Sequence, residues 1–356
     1  MKANDIQGIN ELYGAISGAA GNIIITAHIR PDGDAMGSSL AMMRYIRSIG
    51  RQAFIIFPDM YPENLGFMVR PSETGFIISA EDDFGQASEL FGDAGLVICL
   101  DFNRIAENRC GRLASLVGDF GGPRVLIDHH PGPELERFSL AFSETEISSA
   151  SELLFSILTG MPGIEGDAGK LPDGAGEALF TGMTTDTNNF ANSVFPSTFR
   201  MASALLEAGV DRDGILQHLY NEYKENRLRI LGKMLEEMTI TDDGVAYMIM
   251  DRRTIGKFGI MEGETEGFVN LPLSVGKVRL SCFLKEDDGF LRVSLRSKKG
   301  VSANRCAAEF FNGGGHEQAS GGRLYIPGDI RDISEAAAYV ERVTHIFMNR
   351  NNGQGI

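Results

Sequence analysis

The chain has 356 residues and a formal net charge of −15, from 33 Lys+Arg against 48 Asp+Glu. With 43% hydrophobic residues it can bury a sizeable core, which excludes a disordered chain, and its length suggests two domains. The acidic balance argues against a general electrostatic grip on long duplex DNA or on an anionic membrane.

Four apolar runs, Ile23–His28, Ala53–Phe57, Leu96–Asp101 and Val125–Asp128, predict strands buried on both faces. Between the first two, Leu40, Met43 and Ile46 share one face of a helix over about 36–49, closed by Gly50. Alternating β and α elements predict an α/β fold, an open, mostly parallel sheet with flanking helices that binds ligands at the carboxyl ends of its strands. The Gly-, Pro- and Asp-rich stretch 160–176 reads as a loop, and helical patterns follow at 197–208 and 213–237. Beyond 239 the composition changes. Val245–Met250, Val278–Leu284 and Leu291–Ser297 read as strands, and a helix over 333–347 closes the chain. The expected organisation is a larger domain at 1–212, a helical linker at 213–238 and a smaller α/β domain at 239–356.

The N-terminus lacks a charged start followed by an apolar stretch, and no apolar run approaches the ~20 residues of a membrane span. A soluble cytoplasmic protein is expected. Cys99, Cys110, Cys282 and Cys306 are scattered and read as buried thiols.

Hard metal ligands stand where these elements end. His28, Asp32 and Asp34 follow the first strand in HIRPDGD, Asp101 ends LVICL, and Asp128-His129-His130 ends VLI. Asp186 follows a small-residue helix, in TTDT. A charged group at the end of a buried strand is costly unless paired or ligated. One such end is unremarkable; three in one domain, holding three of the six histidines, point to a site. Carboxylates mixed with imidazoles, without thiolate, suit octahedral Mn²⁺ or Mg²⁺. Two such cations can clamp a phosphoryl group, generate hydroxide and stabilise the leaving oxygen, with Asp101 as the bridging carboxylate.

The segments HIRPDGDAMGSS, LDFN, IDHH and TTDT resemble, in order, the four motifs of the DHH phosphoesterase family. Gly313-Gly314-Gly315-His316 resembles the glycine-rich signature of the DHH-associated substrate domain. The layout is most similar to the NrnA-type branch of nano-RNases and pAp phosphatases. The resemblance implies His28, Asp32 and Asp101 on one Mn²⁺, and Asp34, Asp101, His129 and Asp186 on the other. It implies Asp128 orienting a ligand imidazole, His130 facing the scissile phosphate, and substrate held by Arg296, Ser297, Gly313, Gly314, Gly315 and His316. One departure is Asn188-Asn189 after Thr187, where relatives usually carry glycine.

The implied activity is hydrolysis of short oligoribonucleotides to mononucleotides, and of 3′,5′-pAp to AMP, with a homodimer expected by resemblance alone. Alternatives are a phosphodiesterase for cyclic-di-AMP or for linear dinucleotides such as pApA and pGpG, and an inactive nucleotide-binding regulator. The stretch Lys277–Arg305 supports an anionic substrate, with eight cations against three acids in an otherwise acidic chain. On LRVSLRS, alternation puts Arg292, Ser294 and Arg296 on one face. Arg30 reads equally as a phosphate contact or an ion pair, and Asn103 as a substrate contact or a turn cap. Glu266-Gly267 resembles a cleft-lining family segment. His218 and His345 read as structural or surface residues.

Overall fold

A computed structural model describes residues 6–261 and 263–352, in two compact units, Met1–Glu222 and Tyr223–Ile356. The first is built on six strands: β1 (Asn22–Thr26), β2 (Ala53–Phe57), β3 (Ile77–Ser79), β4 (Ala94–Leu100), β5 (Arg124–Asp128) and β6 (Leu140–Ser143). All pair in parallel, in the order β3-β2-β1-β4-β5-β6. The continuous apolar runs have a direct cause. Ile23 and Ile25 enter one buried cluster while Ile24 enters another on the opposite face; Leu96 and Ile98 divide from Val97 and Cys99 in the same way.

Helices Ile6–Gly18, Gly33–Ser48, Ala150–Thr159 and Ala175–Asp186 cover the first face. Helices Phe84–Gly92 and Leu113–Asp119 cover the second. After β1 the chain crosses to β2, whereas β4 lies on the other side of β1. The loops leaving β1 and β4 therefore diverge and open a crevice at the carboxyl ends of the strands.

The second unit carries a mixed sheet: β7 (Thr239–Ile240), β8 (Val245–Met250), β9 (Leu280–Asp287), β10 (Phe290–Ser297), β11 (Gly314–Gly315) and β12 (Ala319–Tyr325). Its order is β11-β12-β10-β9-β8-β7, and only β8 and β9 are parallel neighbours. Helices Ala303–Phe310 and Ala336–Asn352 pack on one face. Helix Glu225–Glu236 and the turn Phe268–Ser274 pack on the other.

Some elements differ from expectation. The helix expected over about 36–49 starts at Gly33, so Asp32 is its N-cap and Asp34 lies in its first turn. The pattern at 213–237 is two helices, Arg212–Tyr220 and Glu225–Glu236. Ile215 and Leu219 enter the first unit's core, whereas Ile230 and Met234 enter the second's, so one straight helix cannot serve both. The short β3 and β6 and the glycine-bearing β12 are additional strands. All four cysteines are buried and free.

Candidate active site

The four acid- and histidine-bearing segments of the first unit converge at the crevice. His28 follows β1, and its Nδ1 lies 2.7 Å from the Ile29 carbonyl. As donor, that nitrogen leaves Nε2 as the ligating lone pair. Nε2 stands 3.4 Å from Asp101 Oδ2 and 3.8 Å from Asp32 Oδ1. His129 Nε2 lies 3.4 Å from Asp101 Oδ1, 3.6 Å from Asp186 Oδ2 and 3.9 Å from Asp34 Oδ2. One donor atom from each of His28, Asp32 and Asp101 falls within a 4.8 Å sphere of mutual distances; so do donors from Asp34, His129 and Asp186. Asp101 has one oxygen towards each histidine.

Local structure fixes each carboxylate. Asp32 Oδ1 accepts from the amides of Asp34 and Ala35 at 3.0 and 3.1 Å. Asp34 accepts from the amides of Ala150 and Ser151 at 2.7 and 2.8 Å, at the head of helix Ala150–Thr159, where the dipole favours an anion. Close helix packing makes this reach feasible. A Cβ at Gly37 would stand 2.4 Å from the Ala178 carbonyl, and one at Gly182 would stand 2.1 Å from Ser151 Oγ. The sequence reading missed the Ser149–Ser151 contribution, although Ser149-Ala150-Ser151-Glu152 is a capping-box pattern.

Asp101 adopts φ 61°, a left-handed conformation that aspartate tolerates better than most residues. Asp128 is fully buried. Its Oδ1 lies 2.8 Å from His130 Nδ1, and its Oδ2 accepts from the His130 amide at 3.1 Å. The imidazole that it orients is thus His130, the residue expected to face substrate. Asn188 and Asn189 have φ 48° and 53°. Asparagine is the residue after glycine best suited to that conformation, so Asn188-Asn189 can form a left-handed turn without glycine. Asn103 donates to the Pro131 carbonyl at 2.7 Å and ties the loop after His130, its turn-capping alternative.

The electrostatics call for cations. Burial disfavours charge on His28 and His129, but neighbouring carboxylates outweigh it. Asp101 and Asp32 hold His28 well above the ordinary imidazole range, and Asp101, Asp186 and Asp34 push His129 up to about 10. Burial and repulsion from Asp101 and Asp186 raise Asp34 well above the carboxylate range. Burial pushes Asp186 up to about 6, opposed by His129 and reinforced by Asp101 and Asp32. Burial would also raise Asp101, but hydrogen bonding with His129 and His28 holds it low. Asp101 Oδ1 is buried without a well-formed hydrogen bond. A cluster with more carboxylate than its surroundings tolerate, an orphaned buried oxygen and no thiol among its donors fits hard divalent cations.

In the second unit, Arg296 and Ser297 end β10, and register sets Arg296 opposite Ala319 on β12. The Gly314–Gly315 strand pairs with Gly321 and Ser320, so the glycine signature and Arg296-Ser297 share one end of that sheet. Gly313 is needed for close approach: its Cβ would lie 2.0 Å from the Gly321 carbonyl. Its amide donates to Ala307 at 3.1 Å, and the Ser297 hydroxyl donates to Val301 at 2.6 Å, so these two donors hold the fold. His316 is half-buried. His218 pairs with Glu222 and stacks on Phe67, and His345 pairs with Asp243, both structural.

The parallel α/β sheet and the His/Asp donor groups gathered at its switch point define the class: an α/β domain with a candidate cation-binding crevice at the carboxyl ends of its strands. Residues 22–183 match the DHH family N-terminal domain and residues 242–341 match the DHHA1 domain. The chain belongs to the DHH family and is a hydrolase acting on phosphoester bonds. It is 28% identical to the bifunctional oligoribonuclease and PAP phosphatase NrnA of Bacillus subtilis, over 85% of this chain and 89% of that one. It is 27% identical to the cyclic-di-AMP phosphodiesterase GdpP of Geobacillus thermodenitrificans, over 83% of this chain and 43% of that one. The crystal structure of an exopolyphosphatase-related protein from Bacteroides fragilis superposes with a TM-score of 0.87 at 34% identity, over 97% of this chain and 98% of that one.

Proposed function

We propose that this hydrolase degrades short oligoribonucleotides to mononucleotides and converts 3′,5′-pAp to AMP, using two divalent cations, Mn²⁺ first and Mg²⁺ as the alternative. The observation that carries the reading is Asp101, whose two oxygens each lie 3.4 Å from a different histidine, His28 and His129. His28, Asp32 and Asp101 would hold one ion, and Asp34, Asp101, His129 and Asp186 the other. When bound, the ions would activate a water and neutralise charge developing on the phosphoryl group.

The chain's own residues do the rest. Asp32 and Asp34, fixed by backbone amides, keep the donors preorganised. His130, turned by Asp128, stabilises the equatorial oxygens or carries a proton to the leaving ribose oxygen as the P–O bond breaks. Arg296, Gly314, Gly315 and His316 would hold the far end of the substrate, while Ser297 and Gly313, whose donors are used internally, would shape that end of the sheet. The net charge of −15 disfavours long nucleic acid, and cytoplasmic location and a homodimer belong to the same proposal. The likeness to a cyclic-di-AMP phosphodiesterase favours a second reading, in which cyclic or linear dinucleotides are the substrate. Retention of all six donors weighs against an inactive regulator.

The test is a substrate panel of pAp, dinucleotides, longer oligomers and cyclic-di-AMP with purified protein and Mn²⁺, products being resolved by length. Turnover of pAp and of short oligomers is expected, and Asp101→Ala should abolish it while the circular-dichroism spectrum is retained. Preferred turnover of cyclic-di-AMP would favour the second reading. Undiminished turnover by the variant would reject the two-ion site.

A further inference from the structure

Among the described residues, two arginines are almost completely buried, Arg44 and Arg227, each 8% exposed. Their surroundings differ. Arg44 Nε and Nη2 donate to the two oxygens of Glu73, both at 2.8 Å. Its Nη2 also donates to Met68 and its Nη1 to Gly174, both at 2.7 Å. Every nitrogen is used and a carboxylate neutralises the charge.

Arg227 makes one hydrogen bond, from Nη2 to the Glu266 carbonyl at 2.7 Å. Its Nε is sealed from solvent without a partner, whereas Nη1 is not among the sealed atoms. The nearby Glu264 is engaged by Lys224 at 3.3 Å. The guanidinium instead rests on ring faces, 3.6 Å from the centre of Tyr223 and 5.0 Å from that of Phe268. Rings attract a cation but accept few of its N–H groups. Burying a charge is costly: burial lowers the affinity of this guanidinium for its proton, and Tyr223, Glu266 and Glu264 act in the opposite direction without forming an ion pair with it.

The place is suggestive. Phe268 packs against Phe283 with ring centres 6.0 Å apart, and Phe283 stands opposite Ser294 in the register of β9 and β10. Ser294 lies between Arg292 and Arg296 on one strand face. Arg227 therefore borders the sheet face that carries Arg296.

We propose that Arg227 is an anion-binding residue that receives a phosphate of the nucleotide substrate other than the one hydrolysed. A guanidinium suits a phosphate, whose oxygens would accept from the Nη1 that is not sealed and add a negative charge beside the cation. This deepens the proposed function and rests on it for the identity of the ligand.

The probes are AMP, and the dinucleotides pApA and ApA, which differ by one phosphate. In isothermal titration, Arg227→Met should bind AMP about tenfold more weakly than wild type, equivalent to about 1.4 kcal/mol. Arg227→Lys, which keeps the charge but loses the fork, should show a smaller loss. In kinetics, the wild-type preference in KM for pApA over ApA should vanish in Arg227→Met, a cycle that isolates the arginine–phosphate pair. Unchanged AMP affinity and preference, with only thermal stability lowered, would make Arg227 a structural prop and overturn the proposal. If Arg227→Met fails to fold, wild-type affinity and preference in a folded Arg227→Lys overturns it equally. AMP binding that depends on Arg227, without turnover of either dinucleotide, would reject the proposed substrates and leave the anion site standing.

Discussion

Asp101 stands between the two donor groups of the proposed site, placed by the end of β4 and a left-handed backbone. Asp128, buried one strand away, holds His130 at both the ring and the amide and on the proposed function would orient it. Asp128→Asn should therefore lower kcat by about 10–100-fold, the usual effect of losing an orienting carboxylate. Steady-state kinetics at saturating Mn²⁺ would measure this, and a wild-type kcat would contradict it. At this scale the sequence was informative about residue types. An acid or a histidine ending a run such as LVICLD stands out, because the preceding residues are all buried. Which imidazole Asp128 would engage was not legible, since that depends on the turn of three consecutive residues. The shape around Asn188-Asn189 was likewise set by backbone angles that composition only hints at.

The site depends on how its helices are held. Arg44, on the helix that begins at Gly33, reaches Glu73, Met68 and the start of helix Ala175–Asp186, so one buried guanidinium joins three segments beside the candidate site. Burial would raise the Glu73 carboxyl, but hydrogen bonds from Arg44 and the Arg70 amide hold it below the ordinary range. A depressed acid contributes stability that is full above its unfolded value of about 4.3 and is lost as pH falls through the lower folded value. Glu73→Gln should destabilise the protein by about 3–5 kcal/mol at neutral pH, with the gap to wild type closing below about pH 4. Urea unfolding at several pH values would measure the gap, and a pH-independent gap would contradict the assignment. At the element scale, strands with continuous Ile, Leu and Val were legible from burial on both faces. The three-residue β3 and the small-residue β12 carry too little apolar pattern to be distinguished from loops. The break after Tyr220 was hidden because both helices are amphipathic and their stripes belong to different cores.

For the whole molecule, two units of different sheet type carry the two sets of proposed site residues. The parallel sheet gathers the acids and histidines, and the mixed sheet carries the cationic strand face and the glycine turn. The charge of −15 is therefore unevenly spent: acids cluster where cations are expected, while Lys277–Arg305 stays basic. That distribution suits small phosphorylated substrates better than a long polyanion. The account stands or falls on two cations joined through Asp101. Counting Mn²⁺ bound per chain by isothermal titration, for wild type and Asp101→Ala, tests this most directly. Two ions in the wild type and at most one in the folded variant are predicted; two ions bound by the variant with wild-type affinity would contradict it.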